Sequence, residues 1–217
     1  MKSFLQLRTI CVIVVVCSTA FSQGGMPALD AGTVRGSTYT NNYFGMQVRI
    51  PDGWQAQDNE ATKALIERGR DLAAGDDKTL DAAIRASEQR SLTLLTVFKY
   101  AQGSPVDFNP SFMCVVERTQ DLPGIKKGSD YLFHVRKGLS ASKIAPVFEK
   151  EIYDTSLNGV DFGVLETKLV IGKSEIRQKY YTTILKGYAV SFIISYNTNE
   201  ELRVENDALQ SMKLQHG

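Results

Sequence analysis

The chain is short of the residues that carry chemistry. Among its 217 residues there are three cysteines, two histidines and one tryptophan. His134, the penultimate His216 and a lone Cys114 cannot make up the nitrogen and sulfur set of a zinc site, which takes about four ligands. Asp76, Asp77 and Asp81 carry charge suited to calcium but lack the alternating oxygen ligands and glycine of an EF-hand loop, and they read as helix caps. There is no Gly-x-Ser-x-Gly elbow, and any Ser-His-Asp set would have to use His134, expected on a solvated helix surface. Gly124-Ile125-Lys126-Lys127-Gly128 lacks the spacing of a phosphate loop and reads as a solvated loop. No metal, cofactor or catalytic residue is assigned.

An excess of charge of one sign is also missing. The chain holds 25 Lys+Arg against 24 Asp+Glu, so nothing electrostatic favours nucleic acid or an anionic membrane. Apolar runs are short. The clearest, Ile10 to Val16, follows Lys2 and Arg8 and precedes Ala20-Phe21-Ser22. A positive start, a brief apolar core and small residues at −3 and −1 make a secretory signal, with Ala20 and Ser22 marking cleavage after residue 22. The core is too short for a ~30 Å hydrocarbon layer at ~1.5 Å per residue. Lipidation at Cys17 is the lesser reading, because Val16 stands where a small residue is wanted. The mature chain is expected in the periplasm or outside the cell, with no stable membrane span. Cleavage removes Cys11 and Cys17 and leaves Cys114 in the apolar run Phe112 to Val116, as a buried, inert thiol without a disulfide partner.

What the sequence does contain is pattern. In Tyr43-Phe44-Gly45-Met46-Gln47-Val48-Arg49-Ile50-Pro51-Asp52-Gly53-Trp54, apolar and polar residues alternate as in a half-buried strand, and Pro-Asp-Gly ends it in a turn. Residues 23–36 read as a loose lead-in to a single domain over 37–217. Thr38 to Asn42 reads as a short strand. A helical pair follows over 59–89, with Asp58 or Asn59 and Asp76-Asp77 as starts and Gly75 as a stop. Strands are predicted over Ser91–Tyr100 and Met113–Thr119, and Ser129-Asp130 caps a helix to about Ala141. Asn158-Gly159 is a hairpin turn. Closing strands are predicted at Val160–Ile171, Ile176–Leu185 and Tyr188–Tyr196, then a helix opened by the capping box Thr198-Asn199-Glu200-Glu201, with Leu202, Leu209 and Met212 on its apolar stripe.

The opening turn, middle strand pair, Asn-Gly hairpin, long closing strands and last amphipathic helix resemble the PsbP-like fold over roughly residues 38–56 and 91–214. That superfamily includes photosystem II extrinsic proteins, a nuclear Ran-binding factor and exported bacterial proteins without assigned activity. The resemblance implies an α+β protein, an antiparallel sheet covered by helices, with 59–89 as a helical insertion. It implies binding or assembly rather than catalysis, and it carries across no catalytic residues. The expected function is an exported, non-enzymatic binding or assembly module whose partner is an envelope protein or a small ligand. One alternative is a small hydrolase using His134 or a carboxylate pair drawn from Glu149, Glu151 and Glu166. Another is a carrier holding an apolar ligand between sheet and helix. Tyr180, Tyr181, Tyr188, Tyr196 and Phe192 are expected in the core rather than in a ligand groove. Trp54 and Phe133 are the candidate partner contacts. Trp54 is expected to pack on the first strands, and Phe133, off the Leu132/Val135/Leu139 face, to contact the 59–89 pair.

Overall fold

The computed structural model describes residues 29–120, 122–171 and 174–214. Ala20, Ser22, Cys17 and His216 lie outside the described residues. Near the amino end come β1 (Thr33–Arg35), β2 (Thr38–Asn41), β3 (Met46–Arg49) and β4 (Gln55–Ala56), followed by helices α1 (Asn59–Ala74) and α2 (Lys78–Glu88). Strands β5 (Ser91–Phe98) and β6 (Ser111–Arg118) lead to α3 (Gly128–Ala141). The rest comprises β7 (Val147–Phe148), β8 (Tyr153–Leu157), β9 (Val160–Ile171), β10 (Ser174–Leu185), β11 (Tyr188–Tyr196), α4 (Asn199–Gln210) and β12 (Lys213–Leu214).

The strands form two antiparallel sheets. The larger runs β4-β5-β6-β11-β10-β9-β7, with β8 also on β9, and the smaller runs β1-β2-β3-β12. Strand β11 is central and buried along its whole length. Its alternation therefore separates two apolar layers rather than core from solvent. Tyr188, Val190, Phe192, Ile194 and Tyr196 face the small sheet and α4, whereas Ala189 and Ile193 face the layer containing Leu65, Ile84, Leu132 and Leu139 of α1, α2 and α3. A central strand covered on both faces needs apolar residues on both, which is why the run reads as nearly continuous.

Local chemistry sets the boundaries. Asp58 Oδ1 accepts from the Ala61 N–H to start α1, and Asp77 Oδ1 accepts from Thr79 and Leu80 to start α2. In α4 the capping box forms: Glu201 N–H donates to Thr198 Oγ1, and Glu201 Oε2 accepts from the Asn197 and Thr198 backbones. Helix α3 starts earlier than expected, its cap being Lys127 rather than Ser129-Asp130. The Asp130 carboxylate reaches back to the Lys126 and Lys127 N–H groups, so the acid that marks the start sits inside the helix.

Two further expectations need correction. Thr33–Arg35, assigned to the loose lead-in, pairs with β2 as β1. All three residues are exposed, so no alternation betrayed the strand. Phe133 does not pack on the helical pair. It is 63% exposed, its ring meeting only His134 edge-on among its aromatic neighbours. Trp54 packs on the small-sheet core but is only half-buried. Trp54→Ala is accordingly expected to lower stability by ~1–2 kcal/mol in denaturant unfolding, below the ~3–5 kcal/mol of a fully buried aromatic. A loss in that higher range would show that the indole is enclosed.

Candidate functional site

Helices α1 and α2 form an antiparallel pair that leans over the start of β5, and a cleft of about 290 Å3 opens between them. Ile66, Ile84, Leu92 and Val115 give it apolar walls and floor, and Lys63, Glu67, Arg70 and Glu88 add two charges of each sign. Arg70 holds the pair together. Its guanidinium is nearly buried, with Nη1 donating to both Glu88 oxygens at 3.3 and 3.0 Å and Nε 3.3 Å from Asp81 Oδ1. Burial makes such an arginine depend on its acids, because an unpaired charge there is expensive. Asp81 in turn accepts from Arg85 at 2.8 Å.

Beside the cleft, the Glu117 carboxylate is 1% exposed on β6. Its Oε2 accepts from Tyr131 of α3 at 2.6 Å, and its Oε1 from Arg90 at 3.3 Å and Ser87 at 3.4 Å. Burial raises its pKa, while the Tyr131 hydrogen bond and the Arg90 charge pull the other way. This network ties α2, β6 and α3 together and fixes the floor of the cleft.

A smaller opening of about 170 Å3 continues along the same edge, between the Ala31–Val34 segment and the Leu94–Thr96 stretch of β5. Asn59, Thr62 and Thr93 line both openings. A third hollow, of about 410 Å3, lies at the start of α3. Its cation is engaged, since Lys127 Nζ donates to Asp154 at 2.6 Å, and the helix N-terminus is occupied by Asp130.

Of the residues considered for hydrolysis, Glu166 and Glu151 are tied into ion pairs. Glu166 lies on β9 with Oε1 accepting from Tyr153 at 2.6 Å and Lys150 at 3.2 Å, and with Lys179 Nζ at 3.3 Å. Burial would raise its pKa, but the Tyr153 and Lys150 hydrogen bonds and the Lys179 charge outweigh it and hold the group below the usual range. Glu151 is exposed and bridges Arg136 at 2.6 Å, which lowers it as well, and Glu149 is exposed. Ion pairing thus favours the ionised form of both carboxyls. His134 sits half-exposed on α3 beside Phe133. Cys114 is fully buried against Met46, and burial pushes its thiol far up, away from thiolate. The four tyrosines and Phe192 are in the two cores. Among the described residues no group of three or more His, Cys, Asp or Glu gathers as metal ligands.

No family model matches the chain, and no curated protein matches its sequence. Solved structures do. The solution structure of cyanobacterial PsbP (CyanoP) from Synechocystis sp. PCC 6803 superposes with a TM-score of 0.51 at 11% identity, over 89% of this chain and 99% of that one. The chain has the PsbP-like fold. Two further crystal structures are similar at 11% identity. One is a Pseudomonas aeruginosa protein of unknown function (TM-score 0.42, covering 83% of this chain and 97% of that one). The other is LpqN, involved in cell envelope biogenesis of Mycobacterium tuberculosis (TM-score 0.44, 79% and 83%). Identity this low ties the PsbP-like chain to an architecture and to no activity.

Sequence reasoning missed the cleft. The available signal was Arg70, next to Gly69 and one turn before Ala73 and Ala74 on the buried side of α1. A cation on a core stripe announces acids opposite it, and Glu88 lies at the far end of the next helix.

Proposed function

We propose that this PsbP-like protein is an exported, non-enzymatic binding module that docks a partner in the cleft between α1, α2 and β5. The observation that carries the reading is the cleft itself: an apolar floor, balanced charges above it, and walls braced by the buried Arg70 and Glu117 networks. Braced walls favour binding with little rearrangement. The ionised state of Glu166 and Glu151 and the inert Cys114 support a role without catalysis. Phe133, exposed on α3, and the open side of Trp54 are secondary contact points. Export rests on the amino-terminal pattern, and sequencing of the secreted protein is expected to begin at Gln23; a start before residue 20 would contradict it.

The test is retention of envelope proteins on the immobilised mature chain. Ile66→Asp and Thr62→Asp each place a charge on the half-buried cleft wall. They are expected to abolish retention without a matching fall in thermal midpoint, whereas Glu166→Gln retains it. Retention unchanged by both cleft substitutions would overturn the assignment.

A further inference from the structure

The smaller opening differs in chemistry from the cleft beside it. About 170 Å3 in volume, it is lined by Thr33 of β1, Gln57, Asn59 and Thr62 of α1, and Thr93 and Thr96 of β5. Thr93 and Thr96 belong to the helical face of β5, opposite Val115 and Met113 of β6. Among the described residues no Asp, Glu, Lys, Arg or His lines this hollow, whereas four charged side chains line the cleft.

Thr96 is 2% exposed, and its hydroxyl has no hydrogen-bond partner. Its carbonyl is already engaged, accepting from the Gln57 N–H at 2.8 Å, so the hydroxyl is the group left over. Buried polar groups of native proteins are hydrogen-bonded, and an orphan in the wall of a hollow marks a bond that a bound molecule completes. Tyr39, on the same wall, is no such orphan. Its hydroxyl donates to the Ala31 carbonyl at 2.8 Å and accepts from Asn41 at 3.3 Å, which fixes the Ala31–Val34 side of the hollow. An ion would lose its water here and meet no opposite charge. A wholly apolar molecule would leave the Thr96 hydroxyl unpaired. The volume falls below the ~300–1,000 Å3 of ordinary ligand pockets, so the occupant is small.

We propose that this hollow is a binding site for a small, neutral polyhydroxyl compound, one of whose hydroxyls pairs with the Thr96 hydroxyl. Threonine hydroxyls and the Asn59 and Gln57 amides both donate and accept, which suits a ligand whose hydroxyls do the same. Val34, Leu94 and Leu95 give its carbon skeleton an apolar surface. The site is separate from the partner cleft and goes beyond the docking assignment.

The test is saturation-transfer NMR of the mature chain with glycerol, erythritol and myo-inositol. Glycerate and serinol serve as the anionic and cationic counterparts of glycerol. Transfer to the neutral probes and none to the charged pair is the expected result. Thr96→Val keeps the shape of the side chain and removes only the orphan hydroxyl, so its thermal midpoint is expected to hold or rise. The affinity of the best neutral probe is expected to fall by about 10-fold in this variant, the scale of one lost hydrogen bond. Ile66→Asp, in the cleft, is expected to leave that affinity unchanged. No transfer to any neutral probe, equal transfer to glycerate or serinol, or undiminished binding by Thr96→Val would each overturn the site. A signal lost in Ile66→Asp but kept in Thr96→Val would place the probe in the cleft and overturn it as well.

Discussion

Replacing Gly128 by alanine is expected to destabilise the protein by at least ~3 kcal/mol, at the upper end of what overpacking a core does. Gly128 is the first residue of α3 and is buried. A Cβ there would overlap the Thr182 carbonyl oxygen of β10 and stand 2.8 Å from the Gly163 nitrogen of β9. Gly163 meets the converse constraint, since its Cβ would strike the backbone of Gly128 and Ser129. Both obstacles are main chain, so no side-chain rotation relieves them. Helix α3 would have to lift from β9 and β10, uncovering Leu132, Val135 and Leu139, which are buried in the helical core. Denaturant unfolding of Gly128→Ala and Gly163→Ala checks this, with loss of soluble protein as the extreme outcome. A change below ~1 kcal/mol would mean that helix and sheet are not in backbone contact.

Removing the carboxyl of Glu205 is expected to have the opposite sign. Glu205 is 0% exposed on α4, and neither of its carboxylate oxygens has a hydrogen-bond partner. Its pKa is pushed well up, first by burial and then by the neighbouring Glu201, with Lys99 opposing weakly. The faces that β11 and β3 turn toward this layer carry Tyr188, Tyr196, Ile194, Met46 and Val48. A carboxyl whose folded pKa lies above its unfolded value binds more protons in the folded state. Stability therefore falls as pH rises above the unfolded value of ~4.3, by about 1.4 kcal/mol per pH unit until the folded group ionises. Glu205→Met, unbranched and a good helix former, removes this loss. It is expected to stabilise by ~3 kcal/mol at neutral pH, with the gain shrinking toward pH 4. Thermal midpoints of both proteins across pH check the slope. A gain that does not vary with pH would show that Glu205 reaches water or a cation.

The fold was largely legible and the site largely was not, for physical reasons. The run Val160–Ile171, Ser174–Leu185 and Tyr188–Tyr196 announces itself through long alternation and short turns, and Asn158 and Gly159 adopt the positive φ of 53° and 77° that their hairpin requires. The small sheet is half invisible because β1 and β12 have three and two residues, too few for a period to show, and the same holds for the two-residue β4 at the edge of the large sheet. On α4 the buried face is Glu201, Glu205, Ala208 and Leu209, so a stripe read from Leu202, Leu209 and Met212 passes over its acids. Glu117 shares the period-2 phase of Met113 and Val115, and so lies on the same buried face of β6. The partners that make this tolerable come from two other segments, Ser87 and Arg90 from the end of α2 and Tyr131 from α3. A cleft built by tertiary contacts among Arg70, Glu88 and β5 leaves almost no local trace.

The most direct test of the docking assignment is photo-crosslinking in living cells from single positions of the exported protein. A photoreactive residue at Thr62, which borders both openings, is expected to give one discrete adduct that disappears when Ile66→Asp is introduced in the same chain. The same residue at Val170, exposed on β9, is expected to give none. Adducts from Val170 or from Phe133, with Thr62 silent, would contradict a docking site between the helical pair and the edge of the sheet.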